Sequence, residues 1–126
     1  MKYKNKKIDV PWWAPETNTF EKKFVNKVLS DNYPNEGKYT LEFEKKISQL
    51  LNVKYAISVT SGTIAIFLAL KSLGIKKGDE VIIPDLTFAA TANAVDLTGA
   101  KSVFVDIDKK NLNINIKEIN RKISKK

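Results

Sequence analysis

Short apolar runs separated by glycine and proline dominate residues 55–105 and restrict the folds that the chain can adopt. Three of these runs have the length and apolar content of buried strands: residues 55–59, 80–83 and 102–105. Two intervening segments, residues 64–73 and 87–97, are too long for strands and precede Gly74 and Gly99, so helices are predicted there. Strands joined by helices through short connections form right-handed parallel crossovers. The pattern therefore predicts an α/β fold.

The segment before residue 55 is predicted to be helical. Asn18 and Glu21 have the spacing of a capping box, in which each side chain bonds the backbone of the other residue. A second amphipathic helix follows a turn-rich segment, and we expect the apolar faces of both helices to be buried. We therefore divide the chain into an N-terminal helical arm, residues 1–54, and an α/β part, residues 55–126.

The composition excludes several kinds of site. The 126 residues contain no cysteine and no histidine, which excludes disulfides, thiolate zinc sites, cysteine nucleophiles and Ser-His-Asp triads. We predict no metal site, and we expect any chemistry to come from a cofactor or from residues outside this chain. No apolar run approaches the roughly 20 residues of a membrane-spanning helix, and the basic N-terminus lacks the apolar stretch of a secretory signal. A cytoplasmic location without a membrane partner is expected.

The net charge of +8 raises the question of nucleic acid. The basic residues are lysines except for Arg121, and they are spread over predicted helix faces and loops. Nucleic-acid sites more often use arginine, which makes bidentate contacts with bases and phosphates. We therefore predict no nucleic-acid partner. The alternative, a small basic binding protein without catalysis, would instead form a salt-sensitive complex with nucleic acid.

Two loops follow predicted strands at the sheet edge where α/β proteins bind ligands: residues 60–63 and 84–88. The first loop places Ser61, Gly62 and Thr63 at the start of a buried helix. Free backbone amides and the helix dipole favour an anion there, Gly62 allows close approach, and Thr63 adds a hydroxyl donor. The tripeptide is therefore a candidate phosphate site. The alternative is that Ser61 only caps the helix and that Gly62 only relieves a tight turn.

The second loop carries Phe88. Its ring could stack on a flat molecule held by the phosphate site, or it could be part of the core. A phosphate site after one strand and an aromatic ring after the next would together hold a planar phosphorylated cofactor. Pyridoxal 5′-phosphate (PLP) is such a molecule.

Longer segments of the chain resemble a known family. The stretches GKYTLEFE, TSGTIAIFLALKSLGIKKGDEVIIPDLTFAATANAV and TGAKSVFVDIDKKNLNI, in this order, are similar to the DegT-type nucleotide-sugar aminotransferases, which are fold-type-I PLP enzymes. The first stretch is most similar to the perosamine-synthase branch. The resemblance runs from about Pro11 to the end of the chain. It implies a three-layer α/β/α large domain with a mostly parallel sheet, and residues 55–126 would be the first part of this PLP-binding domain.

The resemblance also implies roles for individual residues. The amides of Gly62 and Thr63 and the Thr63 hydroxyl would hold the cofactor phosphate, with Ser61 adjacent, and Phe88 would stack on the pyridine ring. Thr87 also matches the family motif, and we expect it to act at a helix start. Asn93 matches as well, and we expect a packing role.

The activity implied by the resemblance is transfer of an amino group, usually from glutamate, to a nucleotide-linked keto-sugar, as in polysaccharide biosynthesis, by a homodimer. The family's Schiff-base lysine and the aspartate that pairs with the pyridine nitrogen have no counterpart in the 126 residues. We therefore nominate no catalytic residue, and we expect an incomplete N-terminal fragment that is not catalytically competent alone. Within the family, a PLP-dependent sugar dehydratase, with histidine in place of the lysine, remains an alternative.

Overall fold

The computed structural model describes residues 11, 13–31 and 35–123. These residues form helices and strands in the following order: α1 (Thr19–Ser30), α2 (Lys38–Leu50), α3 (Gly62–Ser72), β1 (Glu80–Pro84), α4 (Ala90–Thr98), β2 (Lys101–Val105) and α5 (Ile116–Lys122). They are divided between two compact units, Met1–Ala56 and Ile57–Lys126. None of the helices in the described part of the chain is long and apolar enough to cross a membrane.

The first unit contains α1 and α2. The predicted capping box is confirmed: the Asn18 side chain accepts from the Glu21 amide, and the Asn18 amide donates to Glu21 Oε2 at 2.8 Å. The Asn18 side chain also accepts from the Phe20 amide at 2.7 Å. The Phe24 and Tyr39 rings meet edge to face, with their centroids 6.5 Å apart. The capping box thus fixes the start of α1, and the ring contact joins α1 to α2.

The apolar faces of α1 and α2 are exposed rather than buried, which corrects the sequence-based expectation. The side chains of Phe20, Leu41 and Leu50 are 71%, 62% and 78% exposed. Hydrophobic periodicity identifies a face that is suited to burial, but the two helices of this unit offer little surface to cover it. The assignment of residues 1–54 to a separate arm stays a prediction.

The second unit contains a parallel pair of strands. β1 and β2 align in register from Glu80 opposite Lys101 to Pro84 opposite Val105. α4 makes the crossover between them, and the small core includes Ile83 of β1 and Val95 of α4. The predicted α/β class is confirmed, because a helix connects two neighbouring parallel strands.

The strand predicted at residues 55–59 is wrong for this structure: within the described residues, only β1 and β2 form a ladder, and they pair with each other. A strand needs a neighbouring strand to form a ladder, and no strand of the described part of the chain pairs with residues 55–59. Tyr55 and Ile57 are 72% and 79% exposed. An apolar run of strand length therefore specifies a strand only when a partner strand is beside it.

The connection from α4 to β2 is fixed by two residues. Thr98 Oγ1 donates to the Val95 carbonyl at 2.7 Å and accepts from the Ala100 amide at 3.1 Å, in a buried position. Gly99 has φ +83°, and a Cβ atom there would lie 3.3 Å from Lys77 Cβ. The glycine predicted to end this helix is thus required both by its backbone conformation and by its neighbour.

Candidate functional site

The first turn of α3 presents backbone amides that no helical carbonyl accepts. Ser61 is the N-cap: its side-chain oxygen accepts from the Ile64 amide at 3.3 Å, and its carbonyl accepts from the Ala65 amide at 3.0 Å. The amides of Gly62 and Thr63 precede these bonds and have no intrahelical acceptor. Because the helix dipole is positive at this end, the turn favours an anion. The capping role considered for Ser61 is confirmed, and its O–H remains able to donate.

Neither backbone strain nor crowding requires a glycine at position 62. Gly74, Gly78 and Gly99 have positive φ, whereas Gly62 does not. Apart from its chain neighbours and the backbone of its own helix, a Cβ atom at Gly62 would have no atom of the described chain within 4 Å. The tight-turn interpretation of Gly62 is therefore wrong. The space in front of its backbone is open, so an external group can come close to the amides of α3.

Phe88 lies in the loop between β1 and α4. Residues 85–87 form bends, and α4 begins at Ala90, three residues later than predicted. The Phe88 side chain is 82% exposed, so the alternative of a core position is wrong. Thr87, predicted at the helix start, instead lies ahead of the helix, where its hydroxyl is 2.9 Å from the Thr91 hydroxyl.

The start of α3 lies against α4. Thr63 and three residues of α4 line an open cavity of about 510 Å³: Asn93, Asp96 and Leu97. Asn93 is exposed, so the packing role expected for it is wrong. Asp96 contributes a negative charge to the cavity, which disfavours an anion inside it.

The described residues contain no group of three or more acidic, histidine or cysteine side chains suited to a metal ion. The start of α3 therefore offers amide and hydroxyl donors, and the loop before α4 offers an exposed aromatic ring. Sequence reasoning missed Thr91, whose amide donates to the Phe88 carbonyl at 3.0 Å. The spacing of Thr87 and Thr91, one helical turn apart, is a signal that could have revealed the contact between them.

Comparison with known proteins identifies the family. The sequence profile of the DegT/DnrJ/EryC1/StrS aminotransferase family matches residues 15–126. GDP-perosamine synthase of Escherichia coli O157:H7 is 40% identical over 118 residues, which make up 93% of this chain and 32% of that protein. The chain therefore spans about a third of the length of this relative.

Two solved structures share the fold. The aminotransferase from Psychrobacter cryohalolentis is 35% identical, with a TM-score of 0.82 over 91% of this chain and 29% of the other. A GDP-4-keto-6-deoxymannose-3-dehydratase with a trapped PLP-glutamate geminal diamine is 28% identical, with a TM-score of 0.81 over 93% of this chain and 32% of the other. These matches confirm the start of a fold-type-I α/β domain. The chain belongs to the DegT/DnrJ/EryC1/StrS aminotransferase family.

Proposed function

We propose that this chain is the N-terminal part of a PLP-dependent aminotransferase that transfers an amino group to a nucleotide-linked keto-sugar, and that it holds the cofactor. The observation that carries this proposal is the open first turn of α3, where Gly62 has no structural need to be glycine and two amides lack intrahelical acceptors. The solved dehydratase of the same fold holds a PLP adduct, and the phosphate of such a cofactor matches a turn of this kind.

Different residues would bind different parts of the cofactor. The amides of Gly62 and Thr63, the Thr63 hydroxyl and the Ser61 O–H would donate to the phosphate, and the helix dipole would add roughly 0.3–2 kcal/mol. Each hydrogen bond to the charged phosphate is worth about 1.5–3 kcal/mol. Phe88, which is 82% exposed, would lie against the pyridine ring. A ring that is exposed before binding gives up water when it stacks, so its burial favours the bound state.

When bound, PLP supplies an electron-accepting ring that stabilises charge on the reacting carbon. The contribution of this chain is to anchor the phosphate, fix the plane of the ring through Phe88 and exclude water from one face. We assign no catalytic residue to the chain. Catalysis by these residues alone is not part of the proposal.

The substrate class rests on the relatives. The 40% identity to a GDP-perosamine synthase supports a nucleotide-linked keto-sugar as amino acceptor. Glutamate as donor and a homodimeric assembly are predictions from the sequence resemblance, and a cytoplasmic location is a prediction from the hydropathy of the sequence. The 28% identity to a sugar dehydratase of the same fold supports dehydration as the second candidate. In an assay of the complete protein with ¹⁵N-glutamate, aminotransfer places ¹⁵N in the sugar, whereas dehydration removes water and leaves the sugar without nitrogen.

The cofactor role can be tested on the chain itself. Because the chain is rich in lysine, the PLP aldehyde would react with surface amines, so pyridoxamine 5′-phosphate, which has no aldehyde, is the better probe. Equilibrium dialysis at several salt concentrations should give saturable binding that inorganic phosphate displaces. Binding of DNA but not of pyridoxamine 5′-phosphate would support the basic binding protein instead.

A further inference from the structure

Thr91 contacts both Phe88 and the residue before it, Thr87. Its amide donates to the Phe88 carbonyl at 3.0 Å, and its hydroxyl lies 2.9 Å from the hydroxyl of Thr87. Thr91 is half-buried in the first turn of α4, whereas Thr87 and Phe88 are exposed. Thr91 thus connects the loop that carries the Phe88 ring to α4 through one backbone hydrogen bond and one side-chain hydrogen bond.

The start of α4 lacks a side-chain cap. The N-cap of α4 is Ala89, which makes no side-chain capping bond. Alanine is a poor N-cap, so the amides at the start of α4 are not fixed by the usual side-chain oxygen. The bond between Thr87 and Thr91 spans this uncapped turn, and it limits the directions in which residue 88 can point.

We propose that Thr91 is a positioning residue, which holds the Phe88 ring ready to stack on the cofactor through its hydroxyl contact with Thr87. The proposal rests on the proposed function, because it needs a planar ligand at Phe88. Thr91 itself touches no ligand in this account. Its hydroxyl affects binding by reducing the freedom that the Phe88 loop would lose when the ligand binds.

The test compares two ligands and two substitutions in the full chain. Thr91→Val keeps the amide and the shape of the side chain but removes the hydroxyl, whereas Thr91→Ser keeps the hydroxyl. The valine variant should raise the Kd for pyridoxamine 5′-phosphate about three- to tenfold, the range of one net hydrogen bond. The Kd for inorganic phosphate, which has no ring, should stay at the wild-type value with both variants, and the serine variant should bind both ligands normally.

Two further variants keep the test decisive if Thr91→Val is poorly folded. Thr87→Val breaks the same bond from its exposed end and should reproduce the selective loss. In a Phe88→Ala background, Thr91→Val should have no additional effect, because no ring is left to position.

Equal losses for both ligands, or a loss that persists without Phe88, would overturn the positioning role and indicate general damage to the fold. Unchanged binding of pyridoxamine 5′-phosphate by folded Thr91→Val and Thr87→Val would overturn it as well. If the wild-type chain binds neither ligand, the failure lies in the proposed function itself and removes the basis for the role of Thr91.

Discussion

The Ser61 side-chain oxygen accepts a hydrogen bond from the Ile64 amide at 3.3 Å and so caps α3. One of the free amides of the first turn is thereby satisfied within the chain, and those of Gly62 and Thr63 are left for a ligand. Capping and anion binding are therefore compatible at this turn. The two roles can be separated by substitutions that preserve the cap and change the charge.

Replacing Ser61 by Asp should weaken phosphate binding without unfolding the helix. Asp and Asn cap helices about as well as Ser, so Ser61→Asp and Ser61→Asn should both keep the free energy of unfolding within about 0.5 kcal/mol of wild type. The Asp carboxylate would repel the phosphate, and we expect at least a roughly tenfold weaker Kd, or about 1.4 kcal/mol. Ser61→Asn is the neutral control and should bind much more tightly than Ser61→Asp. Equal affinities of the two variants in dialysis would place the anion elsewhere.

Replacing Gly62 by Ala should separate stability from binding. The new Cβ meets no atom of the described chain, so urea denaturation should show stability unchanged or raised by about 0.4–1 kcal/mol. The methyl group would occupy the approach path of the phosphate, so the Kd for pyridoxamine 5′-phosphate should rise.

Gly99→Ala is the matched control for this substitution. Gly99 has φ +83° and a close neighbour in Lys77, so alanine there should cost about 1–2 kcal/mol of stability. Folded Gly99→Ala protein should bind pyridoxamine 5′-phosphate with a Kd close to that of the wild type. A Gly62→Ala variant with wild-type affinity would contradict close approach of the ligand at Gly62.

Replacing Thr63 by Val should weaken binding because it removes a hydroxyl donor while keeping the shape of the side chain. Loss of one hydrogen bond to a charged group, about 1.5–3 kcal/mol, corresponds to a rise in Kd of roughly ten- to 150-fold. Ser72→Ala removes a hydroxyl that donates to the Ala69 carbonyl at 2.8 Å, at the other end of α3, and should leave the Kd unchanged. If the two variants bind equally well in isothermal titration calorimetry, the Thr63 hydroxyl has no part in the site.

Replacing Thr98 by Val should affect stability and not binding. The buried Thr98 hydroxyl bonds the Val95 carbonyl and the Ala100 amide, and valine would leave the Ala100 amide unpaired. We expect a loss of about 1–3 kcal/mol in the free energy of unfolding, measured in urea. A fully stable Thr98→Val variant would show that this hydroxyl does not stabilise the α4–β2 connection.

Local signals in the sequence predicted much of the fold. The Asn18–Glu21 capping box acts over three residues, and the glycine that ends α4 acts through its own backbone angle, so both can be identified without knowledge of the rest of the chain. The parallel pairing of β1 and β2 followed from the length of the helix between them.

Features that depend on distant neighbours could not be predicted from the local sequence pattern. Residues 55–59 have the apolar content of a strand but no partner strand within the described chain. The exposure of Phe88 depends on the bends before α4, since an apolar side chain alone is compatible with either core or surface. The positions of Ser61, Gly62 and Thr63 at a helix start were predicted from their order, whereas the open space in front of Gly62 became visible only in three dimensions.

The most direct measurement is a titration of the ¹⁵N- and ¹³C-labelled chain with pyridoxamine 5′-phosphate and, separately, with inorganic phosphate, followed by NMR. Both ligands should shift the amide signals of Gly62 and Thr63, and only pyridoxamine 5′-phosphate should shift the ring signals of Phe88. Shifts confined to lysine side chains, or a Phe88 ring that does not respond when the Gly62 amide does, would contradict a cofactor held between the start of α3 and this ring.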